Sequence, residues 1–210
     1  VALLIHGWPE CWYSWRPQMV ALANAGFRAV APDMPGFGET DALPQIGDYN
    51  AKRIAAFMQA LVGHTNKGKP VLLIGHDWGA INCWQFVQLH PELVERLVIM
   101  SVPLRPVADV PPIEFLRGYF ADNFFYQVYF QDEGPPEAEL EADPAETIRK
   151  FYYAISGDAP EGTWPVDKKH GDTLLHRLPE PDMPLPWLSD EDVAYYDAQF
   201  RQSGFRGPLN

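Results

Sequence analysis

Residues 71–80, VLLIGHDWGA, place the tightest constraint on what this chain can fold into. Four apolar residues run into Gly75-His76-Asp77-Trp78-Gly79, and a helical pattern follows. A buried strand that meets a helix through Gly-x-Asp-x-Gly has to turn sharply. The turn leaves no room for side chains on either side of its central residue, which is why glycines flank it. The central residue, Asp77, is then pushed out at the carboxyl end of the sheet on a strained backbone, above a helix N-terminus. A serine in such an elbow needs a base to become nucleophilic. A carboxylate, with a reference pKa of ~3.9, is ionised at pH 7 without one. An aspartate elbow therefore suits displacement at saturated carbon, which gives an alkyl-ester intermediate. The plainer reading of Asp77 is a helix N-cap, a position aspartate favours.

A second motif upstream weighs against the plainer reading. Ile5-His6-Gly7-Trp8-Pro9 closes another short apolar run, VALLI. A tetrahedral intermediate needs two converging backbone N–H donors. An elbow supplies one from the residue after the nucleophile, here Trp78, and a loop after a neighbouring strand supplies the other. Trp8 is the candidate for that second donor, and Pro9 fixes the chain just beyond it. Losing one such donor typically raises the barrier by ~2.7–4 kcal/mol. His6 precedes a glycine turn and is expected to hold the loop by hydrogen bonds rather than to act as a base. His76 and Asp77 are not expected to bind a metal, because neighbours at a turn point apart. Gly36-Phe37-Gly38 lacks the spacing of a phosphate loop and reads as a plain turn.

Residues 1 to about 103 alternate strand and helix. VALLI, FRAVAPD at 27–33, VLLIGH and RLVIMSV at 96–102 are apolar without strict alternation, the mark of parallel strands covered on both faces. Between them lie WRPQMVALANAG, closed by Gly26, then NAKRIAAFMQALVGH, then INCWQFVQLH, stopped by Pro91. This order predicts an open parallel sheet with right-handed crossovers. From Pro103 the pattern changes. PLRPVADVPP is a proline-rich boundary, residues 113–131 are helical and crowded with aromatics, and TIRKFYYAI is a short helix. Residues 158–187, rich in proline and glycine, read as an irregular excursion. A last helix starts at Ser189-Asp190-Glu191-Asp192, an N-cap with acids in the first turn, and ends at Gly204. The expected organisation is a core over 1–103, a helical lid over 104–205, and the start of a return to the core over 206–210.

With these motifs in view, HGWPECWYSWRPQMVALANAGFRAVAPDMPGFGETD, then GHDWGA, then YYDAQFRQSGFRGPLN resemble the epoxide hydrolases of the α/β-hydrolase fold, in the family's order. The resemblance runs from residue 1 to residue 210, with 132–185 the least distinctive stretch. It implies the central parallel strands of an α/β-hydrolase sheet plus a mostly helical cap, without the outer strands. It also implies a small apolar epoxide as substrate, with no metal or organic cofactor. The ring-opening tyrosines of the family align with Tyr126 in FFYQVYFQ and Tyr196 in AYYDAQF. A phenol O–H can protonate the alkoxide left by epoxide opening, and such help is commonly worth ~100- to 10,000-fold. The residues alone do not separate Tyr126 from Tyr129, or Tyr196 from Tyr195, though Val193, Tyr196 and Phe200 share a helix face. Packing of the lid is the bland alternative for all of them. In the family an acid and a histidine follow the cap. They are expected beyond Asn210, since His170 and His176 lie in the irregular segment, so this fragment alone should react once and stall. A haloalkane dehalogenase shares the aspartate elbow, but halide needs no protonation. A non-catalytic ligand-binding member of the fold leaves the elbow without a use.

The net charge of −12 argues against nucleic acid and anionic membrane surfaces as partners. No apolar run approaches the ~20 residues of a membrane span. Cys11 and Cys83 lack the spacing of a disulfide scaffold, which with the absence of a leader pattern points to a reduced, cytoplasmic setting. Val1 lies inside a strand, so an upstream segment is expected to be missing. Oligomeric state is not legible.

Overall fold

The computed structural model describes residues 1–104 and 109–210. The chain divides into two compact units, Val1–Arg105 and Pro106–Asn210. The proline-rich boundary expected over 103–112 falls partly on 105–108, outside the described residues.

The first unit is a four-stranded parallel sheet in the order β2-β1-β3-β4, with β1 Ala2–Ile5, β2 Ala29–Val30, β3 Val71–His76 and β4 Val94–Met100. Its helices are α1 Arg16–Asn24, α2 Ala51–Asn66 and α3 Trp78–Leu89. The apolar stretches of β1 and β3 are continuous because each face of the sheet has its own cluster there. Strand β4, which its apolar run suggested would be covered on both faces, instead stands at the edge of the sheet and exposes Glu95, Arg96, Val98 and Met100. Leu3 and Ile5 of β1, with Val71 and Leu73 of β3, pack against Ala55, Met58 and Val62 of α2 and Cys83 and Phe86 of α3. The alternate residues Ala2, Leu4 and Ile74 pack with Trp15, Met19 and Leu22 around α1. Alternation therefore exists in direction but not in polarity. The second strand is shorter than FRAVAPD suggests. Only Ala29 and Val30 pair with β1, and Asp33 instead anchors a loop, accepting Trp12 N–H at 2.8 Å and Glu39 N–H at 3.2 Å. Asn50 caps α2 by accepting Arg53 N–H. That helix stops where Lys67 and Gly68 adopt positive φ.

The strand order decides where a site can form. From β1 the chain crosses to β2 on one side, and from β3 to β4 on the other. The carboxyl ends of β1 and β3 are neighbours whose connections diverge, which opens a crevice there. Ile5 pairs with Gly75 in the β1–β3 register. The loops that begin at His6 and His76 therefore face each other across that crevice.

The second unit is helical: α4 Pro112–Tyr119, α5 Tyr126–Tyr129, α6 Pro135–Ala142, α7 Pro144–Ile155 and α8 Asp190–Ser203. The single aromatic helix expected over 113–131 is two helices. Between them Phe124 N–H donates to Lys168 O at 3.0 Å and Asn123 pairs with Lys169, so that backbone serves the 158–187 excursion instead of a helix ladder. Helix α6 had no sequence expectation; Gly134 N–H donating to Glu137 Oε2 at 2.7 Å marks its start. Asp143 caps α7, which begins with Pro144 and buries Thr147, Ile148, Phe151 and Ala154. Ser189 caps α8, which buries Val193, Tyr196 and Phe200 and stops at Gly204. Past it, Phe205 stacks on Phe200 with centroids 4.3 Å apart and donates its N–H to Glu141 Oε1. Among the described residues no helix is long and apolar enough to cross a membrane.

Candidate active site

Asp77 ends the turn from β3 into α3 with φ 53° and ψ −122°. That region is nearly closed to residues with a Cβ and costs of order 1–3 kcal/mol. It occupies the N-cap position, yet its side chain makes no capping bond to α3. The carboxylate is aimed instead at the loop after β1, where Oδ1 accepts Trp8 N–H at 2.9 Å. Burial pushes the Asp77 pKa up, and hydrogen bonding from the Trp8 and Trp78 amides pulls it back down in part. Of the two amides expected to stabilise an oxyanion, that of Trp8 is hydrogen-bonded to the carboxylate.

Backbone packing forces this approach. A Cβ on Gly79 would collide with Ile5 O and lie 2.6 Å from His6 O. One on Gly75 would lie 2.6 Å from Gly79 O and 2.7 Å from Cys83 Sγ. One on Gly7 would collide with Asp77 Cβ and lie 2.6 Å from Oδ1. All three glycines are close-approach positions, and none of them needs a positive φ. The Trp8–Pro9 peptide is cis.

His6 is 2% exposed. Its Nδ1 lies 2.9 Å from Gly7 O, a pure acceptor, and its Nε2 accepts Met34 N–H at 3.0 Å. Those partners assign the neutral ring with the proton on Nδ1. Burial holds its pKa down, which keeps it in that form. Both ring nitrogens are engaged, and the imidazole ties the β1 loop to the β2 loop. In the latter, Gly36 N–H donates to Asp41 O and Phe37 N–H to Met34 O. Amides engaged in this way do not cradle a phosphate.

Glu10 and His76, a pair that no local sequence pattern joins, lie beside Asp77. Glu10 Oε2 accepts Gly7 N–H at 2.8 Å, and His76 Nδ1 lies 3.2 Å from Oε1 and 3.3 Å from Oε2. The Glu10 hydrogen bond raises the His76 pKa against the effect of burial. Burial pushes Glu10 up, but its bonds to His76 and Gly7 outweigh that and leave it lowered. The signal for Glu10 is its spacing, a carboxylate three residues past an N–H that needs a partner, as in a capping box.

Within the second unit, the Tyr129 hydroxyl donates to Glu139 Oε2 at 2.9 Å. Burial and the Glu139 charge push its pKa up. Tyr126 Oη accepts Gln127 Nε2–H at 2.9 Å, and Phe125 and Phe130 pack on its ring. Tyr196 is buried on α8 with Tyr152 of α7 edge-on, centroids 5.6 Å apart, while Tyr195 is half-buried. His176 is engaged with Asp172 at 2.8 Å. Cys11 and Cys83 are buried free thiols whose pKa burial raises, Cys11 to about 12.

Against known proteins, residues 3–166 match the model of the alpha/beta hydrolase fold. The chain is similar to Epoxide hydrolase A of Mycobacterium tuberculosis, 39% identical over 214 residues that cover 100% of this chain and 65% of that protein. It is also similar to Bifunctional epoxide hydrolase 2 of Rattus norvegicus, 39% identical, covering 99% of this chain and 37% of that one. Among solved structures, Epoxide Hydrolase A from Mycobacterium thermoresistibile superposes with TM-score 0.91 at 37% identity, covering 99% of this chain and 65% of that one. The chain thus spans about two thirds of the single-function relatives and about a third of the bifunctional ones.

Proposed function

This chain belongs to the α/β-hydrolase fold family, and from that premise we propose that the protein hydrolyses an epoxide to a vicinal diol through an ester on Asp77. The observation that carries the reading is the Asp77 carboxylate, strained at φ 53° with Oδ1 on the Trp8 amide. With Oδ1 held there, Oδ2 attacks an epoxide carbon. The carbon–oxygen bond opens, its electron pair goes to the ring oxygen, and a tyrosine O–H protonates that oxygen. Water then attacks the ester carbonyl carbon; of its two protons, one restores the tyrosine hydroxyl and the other goes to the departing alkoxide oxygen. The negative charge gathers on Oδ1, where the Trp8 and Trp78 N–H groups stabilise it, and collapse releases the diol and the carboxylate. His6 is not the base for this water, because its Nε2 lone pair already accepts Met34 N–H.

The first unit is the catalytic core in this reading. The second is the cap, and residues 206–210 begin the return. Tyr126 and Tyr196 act as the acid pair. The engagement of Tyr129 with Glu139 supports Tyr126 over Tyr129, and the burial of Tyr196 on the apolar face of α8 is compatible with its partner role. His6, Gly7, Pro9, Gly75, His76 and Gly79 shape the elbow and its facing loop. The substrate is a small apolar epoxide. The similar proteins are named epoxide hydrolases, which favours this reaction over halide displacement. Turnover of styrene oxide by the full-length protein in heavy-oxygen water tests it. Label should enter the Asp77 side chain over several turnovers, since water attacks its carbonyl carbon. Label confined to the diol overturns the covalent mechanism.

A further inference from the structure

A helix of four residues, α5, is too short to hold itself together in water. Its geometry must come from what grips it, and two charged side chains do so, Lys168 buried and Glu139 half-buried. Lys168 is 2% exposed. Its Nζ donates to Leu174 O at 2.6 Å and Thr173 O at 3.2 Å, and stands 5.1 Å from the Phe124 ring and 5.3 Å from the Trp164 ring. Its own carbonyl accepts Phe124 N–H at 3.0 Å. Glu139, on α6, meets the same 173–175 turn from its amide side. Oε1 accepts Leu175 N–H at 2.8 Å, and Oε2 accepts Leu174 N–H at 3.0 Å and the Tyr129 hydroxyl at 2.9 Å. One turn of the excursion therefore has its carbonyls on Lys168 and its amides on Glu139. The two charges reach α5 from opposite ends, Lys168 at Phe124 and Glu139 at Tyr129. Tyr126 lies between these anchors.

We propose that Glu139 and Lys168 are positioning residues, forming a hub that fixes α5 so that the Tyr126 hydroxyl is held for the epoxide oxygen. This rests on the role given to Tyr126 above. A buried ammonium is costly, and apolar residues of similar volume often replace such charges without loss of stability. Here burial lowers the Lys168 pKa to about 8, while the Glu139 charge works against that fall. What the pair supplies is directional grip on a turn and a helix that have little hold on themselves.

The test is a double-mutant cycle on alkylation, read by rapid mixing of the full-length protein with styrene oxide. Tyr129→Phe removes one hydroxyl and keeps the ring, and Glu139→Gln serves as a second route into the hub. Thermal unfolding checks that each variant is folded. Tyr129→Phe should slow alkylation by roughly 10-fold, the range expected for misplacing a catalytic group by a fraction of an ångström, with kcat falling more than KM changes. In a Tyr126→Phe background the same change should alter the rate by less than about two-fold, because nothing remains to be positioned. Effects that multiply, or a Tyr129→Phe protein with unchanged alkylation, overturn the hub and leave the function standing. An unchanged rate in Tyr126→Phe alone overturns the hub and the Tyr126 assignment together. Label in Asp77 then reports separately on the ester mechanism.

Discussion

Asp77 and Tyr126 are held in place by different physics. Around Asp77 the constraint is steric: backbone carbonyls close on Gly79 (Ile5 O) and Gly75 (Gly79 O), and the aspartate side chain closes on Gly7. Around Tyr126 it is side chains that bridge distant segments, Glu139 to Leu174 and Tyr129, and Lys168 to the turn beyond it. The first kind tolerates no added atom. The second tolerates shape changes but loses aim when one polar group goes. A steric site should therefore fail in the fold, and a network site in its kinetics.

Asp77→Ala should have the largest effect. Removing a nucleophile from a site of this kind commonly costs on the order of a million-fold in kcat. Single-turnover assays with intact-mass detection should show no adduct on that variant, and an adduct would place the ester elsewhere. Gly79→Ala comes next and probes the steric half directly. A Cβ there meets Ile5 O and His6 O, both backbone. Overpacking against groups that cannot turn away should cost about 3 kcal/mol or more. Urea titration reads this, and a variant of unchanged stability would show that the elbow has slack.

Tyr126→Phe and Tyr196→Phe probe the other half. Each should slow alkylation by roughly 100-fold, with little change in unfolding temperature, and the double change should nearly abolish it. A larger loss from Tyr129→Phe than from Tyr126→Phe would move the acid one helical turn and break the comparison. The smallest effect belongs to Glu10→Gln, where the core itself uses a side-chain network. His76 has its pKa raised by Glu10, so its share of stability is present below the unfolded value of ~6.5 and is lost as pH rises through the folded value. Glu10 is lowered, so its share is present above ~4.3 and is lost as pH falls through the folded value. Glu10→Gln should bring the His76 titration down in proton NMR and lower stability more at pH 5.5 than at pH 8.5. A His76 titration that stays where it was would show that the pair does not couple.

How legible each part was follows from the same contrast. The strands, α1 to α3 and the elbow could be read because apolar runs, helix stops and paired glycines are local marks of what the backbone must do. Helix α8 was legible from Ser189 to Gly204 for the same reason. The break between α4 and α5 was not, because aromatic residues over 113–131 fit one helix as well as two. It is decided by Lys168 O taking the Phe124 amide from far along the chain. Tyr126 and Tyr129 were equal in sequence, and Glu139 separates them only in space. Glu10 was visible as a letter but not as a partner of His76, 66 residues away.

By itself, then, the sequence determined that Asp77 stands in a strand–turn–helix elbow facing the loop after Ile5. Apolar runs choose a parallel sheet, and only glycine fits where two backbones touch. The tertiary structure alone decided which carboxylate oxygen takes the Trp8 amide, which tautomer His6 keeps, and which tyrosine Glu139 engages. Those outcomes depend on hydrogen-bond partners brought together across the chain by folding, and no local pattern encodes a partner 10 or 69 residues away.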